Sequence, residues 1–323
     1  MGLPMLIIAF NRPELTKALL DQIEKLNPRP VVISIDGNPR NNPNASLRRN
    51  KLIDVVSQWA FQSKHNVNVS IQDENLGCNQ HTLTAMESFV LKYEHGFLFE
   101  DDLEIQFQYL NFLDSLDISK VHESFEGVCS TNSDWSKDLV NKNSQDRVIF
   151  YASRLLSQTW GMTFSRDSVE RTRNFRRNLH AISPTLKREI RKWSKEIEGN
   201  LLLQMSLEKY WLGKYQRLLA TWDKSRSGYS TNNEVGWDAL LQLSAIKSRR
   251  SFLMPNWNCG RTSLLANVGA WHEWNPPYEE WTSLDFDLKF EIELGNVRRF
   301  PNQLDSLRFA RSKYPVRAIF NRR

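Results

Sequence analysis

The chain has 323 residues, of which 40% are hydrophobic and 25% are charged, and its formal net charge is +6 at pH 7. This length and composition are typical of a soluble globular protein with one large domain or two smaller ones. No stretch approaches the ~18 consecutive apolar residues of a membrane span, and the apolar run from Met5 to Phe10 is too short for the core of a signal peptide. We therefore expect a cytoplasmic protein without a transmembrane helix.

The three cysteines, Cys78, Cys129 and Cys259, are odd in number and widely spaced. They have neither the spacing of metal ligands nor that of a disulfide framework, which excludes a disulfide-rich secreted domain. A reducing compartment is expected, in agreement with a cytoplasmic location.

The first 72 residues alternate between buried strands and helices. Apolar runs predict strands at Pro4–Phe10, Pro30–Asp36 and Val67–Gln72, with helices ending near Leu26 and spanning Ser46–Phe61 between them. This order of strand, helix, strand, helix and strand is typical of a parallel sheet covered on both faces.

Polar residues follow the first two predicted strands. Arg12 precedes Pro13, an early helical position, so that Arg12 and the helix N-terminus face whatever binds there. Asp36 ends the second strand, where it could accept hydrogen bonds from a nucleoside. The alternative for Asp36 is a turn residue before Gly37.

A turn and a helix follow the third strand. In the turn Asn75-Leu76-Gly77 the glycine can adopt a positive φ, and a helix is predicted from Thr82 to about Tyr93. His81 lies near the helix start, where an imidazole could contact a base or a phosphate. The alternative is a histidine with a structural role.

The fourth strand, Phe97–Phe99, leads directly into the carboxylates Glu100, Asp101 and Asp102. These groups repel one another, and no Lys or Arg lies between residues 92 and 120 to neutralise them. Mn²⁺ and Mg²⁺ favour such oxygen ligands and often share them with a diphosphate, and open α/β sheets bind ligands at the carboxyl ends of their strands. An acidic loop that caps the next helix, from about Phe107 to Leu116, is the alternative.

Residues 165–226 are strongly basic. They contain 15 Lys and Arg against 7 Asp and Glu, a net charge of +8, so that the rest of the chain carries −2. A helix is predicted from Ser183-Pro184 through Ile197 and a second one from Leu201 to Leu219. Three interpretations remain: a solvated helical insertion, a surface that docks on anionic lipid or a lipid-diphosphate acceptor, and a nucleic-acid surface, for which no recognised motif is present. The cations expected mostly along one helical face are Lys187, Arg188, Arg191, Lys192 and Lys195.

The order of these motifs resembles that of the GT-A glycosyltransferases related to N-acetylglucosaminyltransferase I, and of bacterial hemolytic protein HlpA-like glycosyltransferases. Those families share the Asx-Arg turn after the first strand and the Glu-Asp-Asp after the fourth. Three later segments extend the likeness: Gln158–Thr163 (QTWGMT), Gly236–Leu241 (GWDALL) and Pro255–Gly269 (PNWNCGRTSLLANVG). The segment from Asp167 to Arg226 matches nothing in the family.

The resemblance implies an α/β fold of GT-A type, with a Rossmann-like, mostly parallel sheet flanked by helices. Residues 1–165 would form the nucleotide-sugar-binding part and residues 166–226 a basic helical insertion. Residues 227–323 would hold the acceptor side and a C-terminal tail, in which Phe290–Leu294 is a candidate strand.

The resemblance also implies roles for single residues. Asp102 would bind Mn²⁺ or Mg²⁺, and Asp238 would act as the general base of an inverting transfer. The animal enzymes carry two acids where Val235–Asp238 has one, and the alternative for Asp238 is a helix N-terminal acid stabilised by the helix dipole. The implied donor-binding residues are Arg12, Asp36, His81, Glu100, Asp101, Trp160 and Gly161.

The expected activity is transfer of a sugar from a nucleotide diphosphate sugar, with UDP-GlcNAc favoured by the resemblance alone. The acceptor would be a glycan or a lipid-linked hydroxyl, as in the building of a bacterial surface polysaccharide, with peripheral membrane contact through residues 166–226. The alternatives are a sugar-phosphate nucleotidyltransferase, which normally has a Gly-rich loop where this chain has Asn11-Arg12-Pro13, and a non-catalytic nucleotide-sugar-binding module.

Overall fold

A computed structural model of the chain describes residues 2–38, 42–130, 147–153, 161–196, 201–225, 236–255, 260–262 and 289–293. Its first half alternates strands and helices: β1 (Met5–Ala9), α1 (Pro13–Ile23), β2 (Pro30–Ile35), α2 (Pro43–Gln62), β3 (Asn66–Ile71), α3 (Gly77–Phe89) and β4 (His95–Glu100). The predicted alternation is confirmed, and the three predicted strands lie within a residue or two of the observed ones.

The second half adds short strands and a group of long helices. The elements up to the helical region are β5 (Leu103–Ile105), α4 (Phe107–Ser115), α5 (Ile118–Ser124), β6 (Phe125–Val128), β7 (Arg147–Ser153) and β8 (Met162–Ser165). They are followed by α6 (Arg166–Arg177), α7 (Leu179–Glu196), α8 (Leu201–Ser225), α9 (Trp237–Ser248), β9 (Ser251–Pro255), β10 (Gly260–Thr262) and β11 (Lys289–Glu293). The strand predicted at Phe290–Leu294 is confirmed as β11.

The main sheet has the strand order β3-β2-β1-β4-β8. The first four strands are parallel, and β8 pairs antiparallel with β4. A mostly parallel mixed sheet with helices on both faces confirms the predicted α/β class and is compatible with a Rossmann-like fold.

The continuous apolar run of β1 reflects burial on both faces of the sheet. Leu6 and Ile8 join a cluster that includes α3 and the helices α6 to α9. Met5 and Ile7 point the other way and join a cluster with α1, α2 and α4. Because every β1 residue is buried, the strand shows no polar alternation.

Two smaller sheets extend the fold. One has the order β11-β7-β9-β6, in which β9 pairs antiparallel with β7 and parallel with β6. The other pairs β5 with β10 in antiparallel fashion. Because β5 follows the carboxylates after β4, this pairing joins the late chain to the acidic turn.

The basic helices are part of the packed structure. Leu186 and Ile190 of α7 and Leu207 of α8 are fully buried in the cluster that also holds α3 and α9. The predicted start of α7 at Ser183-Pro184 is wrong: the helix begins at Leu179, which is itself fully buried. In the part of the chain that the model describes, no helix is both long and apolar enough to cross a membrane.

Candidate active site

The acidic turn after β4 meets the turn after β1, because the two strands are parallel neighbours and their carboxyl ends lie at one edge of the sheet. The Nη1 atom of Arg12 lies 3.1 Å from Oδ1 of Asp101 and 2.7 Å from Oδ2 of Asp102. The backbone N–H of Phe10 donates to Oδ2 of Asp101 at 3.1 Å. The cation missing from the local sequence is thus supplied by the turn after the first strand.

Arg12 balances only part of this negative charge. Burial first, and then the charges of neighbouring carboxylates, raise the pKa of Glu100 to about 8. Burial also raises the pKa of Asp101 to about 6, although Arg12 opposes that rise. Near neutral pH Glu100 therefore retains a proton, unless a nearby cation stabilises its carboxylate.

Asp102 has the atom best suited to hold such a cation. Its Oδ1 atom is buried and accepts no hydrogen bond from the described residues, while Oδ2 accepts from Arg12. A buried carboxylate oxygen without a donor is unfavourable, and a metal ion would relieve it. No group of three or more His, Cys, Asp or Glu side chains in the described ranges could hold a metal ion by itself. Substrate oxygens and water would complete the shell, as is usual for Mg²⁺ at phosphates.

Asp36 holds the start of α3. Its Oδ1 atom accepts hydrogen bonds from the N–H groups of Gly37 and Leu76, both at 2.8 Å, and its Oδ2 atom accepts from Gly77 N–H at 3.0 Å. These donors satisfy both oxygens of a carboxylate that is only 3% exposed. The observed role is structural, and the predicted hydrogen bond to a nucleoside stays a prediction.

The cap from Asp36 also explains where α3 begins. The helix starts at Gly77, five residues before the predicted start at Thr82, because Asp36 supplies acceptors that the local sequence lacks. Gly77 has the expected positive φ, +75°. Gly37 lies against the same turn, where a Cβ would come 2.0 Å from the carbonyl carbon of Glu74. This close approach of the segment after β2 to the turn before α3 therefore requires glycine at position 37.

His81 faces the sheet. Its ring is 1% exposed, and Nε2 lies 2.8 Å from the Ser34 hydroxyl on β2. Burial lowers the pKa of His81, so the neutral ring is favoured. The side chain thus packs beneath the site in the described structure, and its predicted contact with a base or phosphate stays untested.

Asp238 lies in the first turn of α9, with an exposed side chain. A Cβ on Gly236 would lie 2.2 Å from Oδ1 of Asp238, so the carboxylate folds back over the start of the helix. The charge of Asp238 is among the causes that raise the pKa of Glu100. The start of α9 therefore interacts electrostatically with the end of β4, although their residues are separated by more than 130 positions.

Two contributors were missed by sequence reasoning. Asn79 Oδ1 accepts the Trp237 N–H at 3.0 Å and so fixes the start of α9 against α3. Burial, followed by the charge of Asp238, raises the pKa of Tyr210 on α8 to about 12, so Tyr210 and Asp238 interact electrostatically. Asn79 stands in a polar turn that could have suggested a cap, whereas nothing in the local sequence marks Tyr210.

The Trp-Gly segment is described only from Gly161 onward, and Trp160 lies outside the described residues. Gly161 has a φ of +69°, and a Cβ there would lie 2.9 Å from both Ile105 Cδ1 and Ser130 Oγ. The backbone thus approaches β5 closely behind the acidic turn. Most of the segment 255–269 is likewise outside the described ranges.

No protein-family model matches the chain, and a search of curated proteins found no match.

Proposed function

We propose that the chain is an inverting, metal-dependent glycosyltransferase of GT-A type, which moves a sugar from a nucleotide diphosphate sugar to a hydroxyl of a glycan or a lipid-linked acceptor. One observation carries the proposal. Among the described residues, Arg12 is the one cation paired with Asp101 and Asp102 at the carboxyl edge of the sheet, and Asn79 holds the start of α9, which carries Asp238, against the start of α3, itself capped by Asp36 at the end of β2. Open α/β sheets bind their ligands at this edge.

The reaction makes two demands on the protein. The acceptor hydroxyl must lose a proton as it attacks the anomeric carbon, and negative charge must be stabilised on the departing diphosphate. Asp238 suits the first demand, because its carboxylate is exposed and its helix start is fixed by Asn79. In-line attack from the face opposite the diphosphate inverts the anomeric centre.

Asp102 suits the second demand through its buried, unpaired Oδ1 atom. A bound Mn²⁺ or Mg²⁺ would supply positive charge beside the diphosphate. Arg12 would keep Asp101 and Asp102 oriented through its two ion pairs. In this proposal Glu100 faces the donor sugar and Asp101 the ribose, while Trp160 and Gly161 line the sugar pocket. Asp36 and His81 support the nucleoside side from beneath.

The favoured donor is UDP-GlcNAc, and the proposed setting is polysaccharide synthesis in the cytoplasm, at the inner face of the membrane. Two other functions are tested alongside. A sugar-phosphate nucleotidyltransferase would release pyrophosphate from a nucleoside triphosphate and a sugar 1-phosphate. A binding module would hold a nucleotide sugar without turning it over.

The test is release of nucleotide from a panel of UDP-, GDP- and CMP-sugars, with Mn²⁺ and with EDTA. Slow, Mn²⁺-dependent hydrolysis of one donor by the wild type, lost in Asp102→Asn, supports the proposal. The control Asp73→Asn removes an exposed acid from the loop after β3 and should retain turnover.

If no donor is hydrolysed, donor binding is measured by calorimetry with Mn²⁺ present. Absence of binding by every nucleotide sugar overturns the proposal. Binding without turnover, followed by no product with any hydroxyl acceptor, favours the binding module. Pyrophosphate release favours the nucleotidyltransferase.

A further inference from the structure

We propose that α7 docks on the surface of an anionic lipid bilayer. The surface involved, here called the basic face of α7, consists of Lys187, Arg188, Arg191, Lys192 and Lys195, all exposed. At about 100° per residue these five positions lie within an arc of about 140° on the helix. One continuous side of α7 is therefore cationic.

Buried side chains on the opposite side of α7 determine that the basic face points outward. Leu186 and Ile190 are fully buried, and Trp193 is 5% exposed. Trp193 also packs edge-on against Trp211 of α8, with ring centroids 6.3 Å apart. Because these anchors belong to the same cluster as α3 and α9, α7 cannot roll without disrupting the core.

The cations of the basic face are available to an external anion. Arg191 lies 3.4 Å from Glu208, Lys192 lies 3.8 Å from Glu196, and Arg188 lies 3.9 Å from Glu189. The three cations are 55% to 76% exposed, and solvent-screened pairs of this kind contribute about 0–1 kcal/mol, so lipid phosphates can compete for the cations. In the described part of the chain no salt bridge involves Lys187 or Lys195.

An apolar side chain lies beside the end of the basic face. Met205, near the start of α8, is 58% exposed. The neighbouring Gln204 amide donates to the Lys195 carbonyl at 3.2 Å, which places this turn of α8 next to the last turn of α7. Cations beside an exposed apolar side chain are typical of surfaces that bind membrane interfaces, where the cations meet phosphates and the apolar group enters the boundary layer.

The arrangement favours lipid over nucleic acid. Proteins that bind single strands stack bases on exposed aromatic rings among their cations. Here Trp193 and Trp211 are each 5% exposed, and Tyr215 is fully buried. These three rings stabilise the core and cannot stack on bases, and the half-buried ring of Tyr210 packs edge-on against Trp211.

The test is co-sedimentation of the full chain with vesicles at 100 mM NaCl. The vesicles are phosphatidylcholine alone, or phosphatidylcholine and phosphatidylglycerol at a ratio of 7 to 3. The wild type should bind only the anionic vesicles. Each cation near such a surface contributes about 1 kcal/mol, so the triple variant Lys187→Gln/Arg191→Gln/Lys195→Gln should partition about 100-fold more weakly.

A matched control separates the basic face from net charge. The variant Lys25→Gln/Lys51→Gln/Lys64→Gln removes three exposed cations elsewhere and should bind as the wild type does. The double variant Lys187→Gln/Lys195→Gln breaks no described salt bridge and should lose about 30-fold. Melting temperatures within a few degrees of the wild type establish that the variants fold.

Three outcomes overturn the proposal: no preference for anionic vesicles, equal loss in the matched control, or displacement of the protein from vesicles by an RNA or DNA oligonucleotide that binds through the same three residues. Vesicle binding requires neither donor nor turnover. It therefore tests the basic face separately from the proposed transfer reaction.

Discussion

Two buried groups of ionisable side chains differ in how their charges are balanced. On β6, Glu126 is fully buried with Nη2 of Arg171 at 2.9 Å and Nε of Arg250 at 3.2 Å, so that one carboxylate faces two guanidinium groups. At the end of β4 the ratio is reversed, since the three carboxyl groups of Glu100, Asp101 and Asp102 face Arg12 alone among the described residues. Oε1 of Glu126 is buried without a hydrogen bond from the described residues, as Oδ1 of Asp102 is, but two guanidinium groups already balance the charge of Glu126. An excess of one sign at a sheet edge is suited to binding the opposite sign, which is why we assign function to the second group and stability to the first.

The largest effect is expected at Asp238, whose charge acts on the second group. Asp238→Asn should lower transfer by about 10³-fold, because an amide cannot accept the proton of the acceptor hydroxyl. Donor binding in the presence of Mn²⁺ should be unchanged by calorimetry, and Asp54→Asn, an exposed acid on α2, is the control. Loss of donor binding instead would move Asp238 from the acceptor side into the donor pocket.

Substitution of Glu126, in the first group, should lower the stability of the fold. Glu126→Gln leaves two partly buried arginines without their carboxylate and should lower the free energy of unfolding by about 3 kcal/mol in urea titrations. Glu123→Gln, an exposed neighbour on α5, should change it by less than about 0.5 kcal/mol. Equal effects of the two substitutions would contradict a structural role for Glu126.

A fall in pH should destabilise the fold at the first group, around Glu126. His122 lies beside it, with its carbonyl accepting from Arg250, and burial lowers the pKa of His122 to about 3. The neutral ring of His122 is favoured in the fold. The stability that it contributes is fully present above pH 6.5 and is lost as the pH falls from 6.5 to about 3. Between pH 6.5 and 5 this loss should be about 2 kcal/mol. In His122→Phe, which retains a ring against His95, the loss of stability should be smaller. Parallel curves of stability against pH for the wild type and this variant would contradict the role given to His122.

The smallest effect concerns the contact that holds Asp238 in place. Asn79→Ala removes the acceptor for Trp237 N–H and should cost about 1 kcal/mol of stability. If Asn79 positions the base, kcat should fall while KM for the donor stays the same. A loss of stability with unchanged kcat would leave Asn79 as a helix cap only.

The sequence predicted those features that local patterns determine. The buried runs of β1, β2 and β4 are continuous, so their positions and their common sheet edge followed from the sequence, and the carboxylates after β4 were identified there. Contacts between distant residues could not be predicted. Arg12 lies about 90 positions from its acidic partners and Asn79 lies 158 positions from Trp237. The predicted start of α7 was wrong because burial of Leu179 extends the helix to the N-terminal side of Pro184.

The cap that Asp36 provides for α3 has a consequence for the order of folding. The carboxylate and the N–H groups of Leu76 and Gly77 are 40 and 41 residues apart, so the first turn of α3 can be stabilised only after that loop has closed. An isolated peptide of residues 75–93 should therefore begin its helix near Thr82, as the local signals indicate. In the whole chain the first turn of α3 should form together with the docking of β2, late relative to the local helix, and amide exchange at Leu76 and Gly77 should follow the opening of the sheet edge.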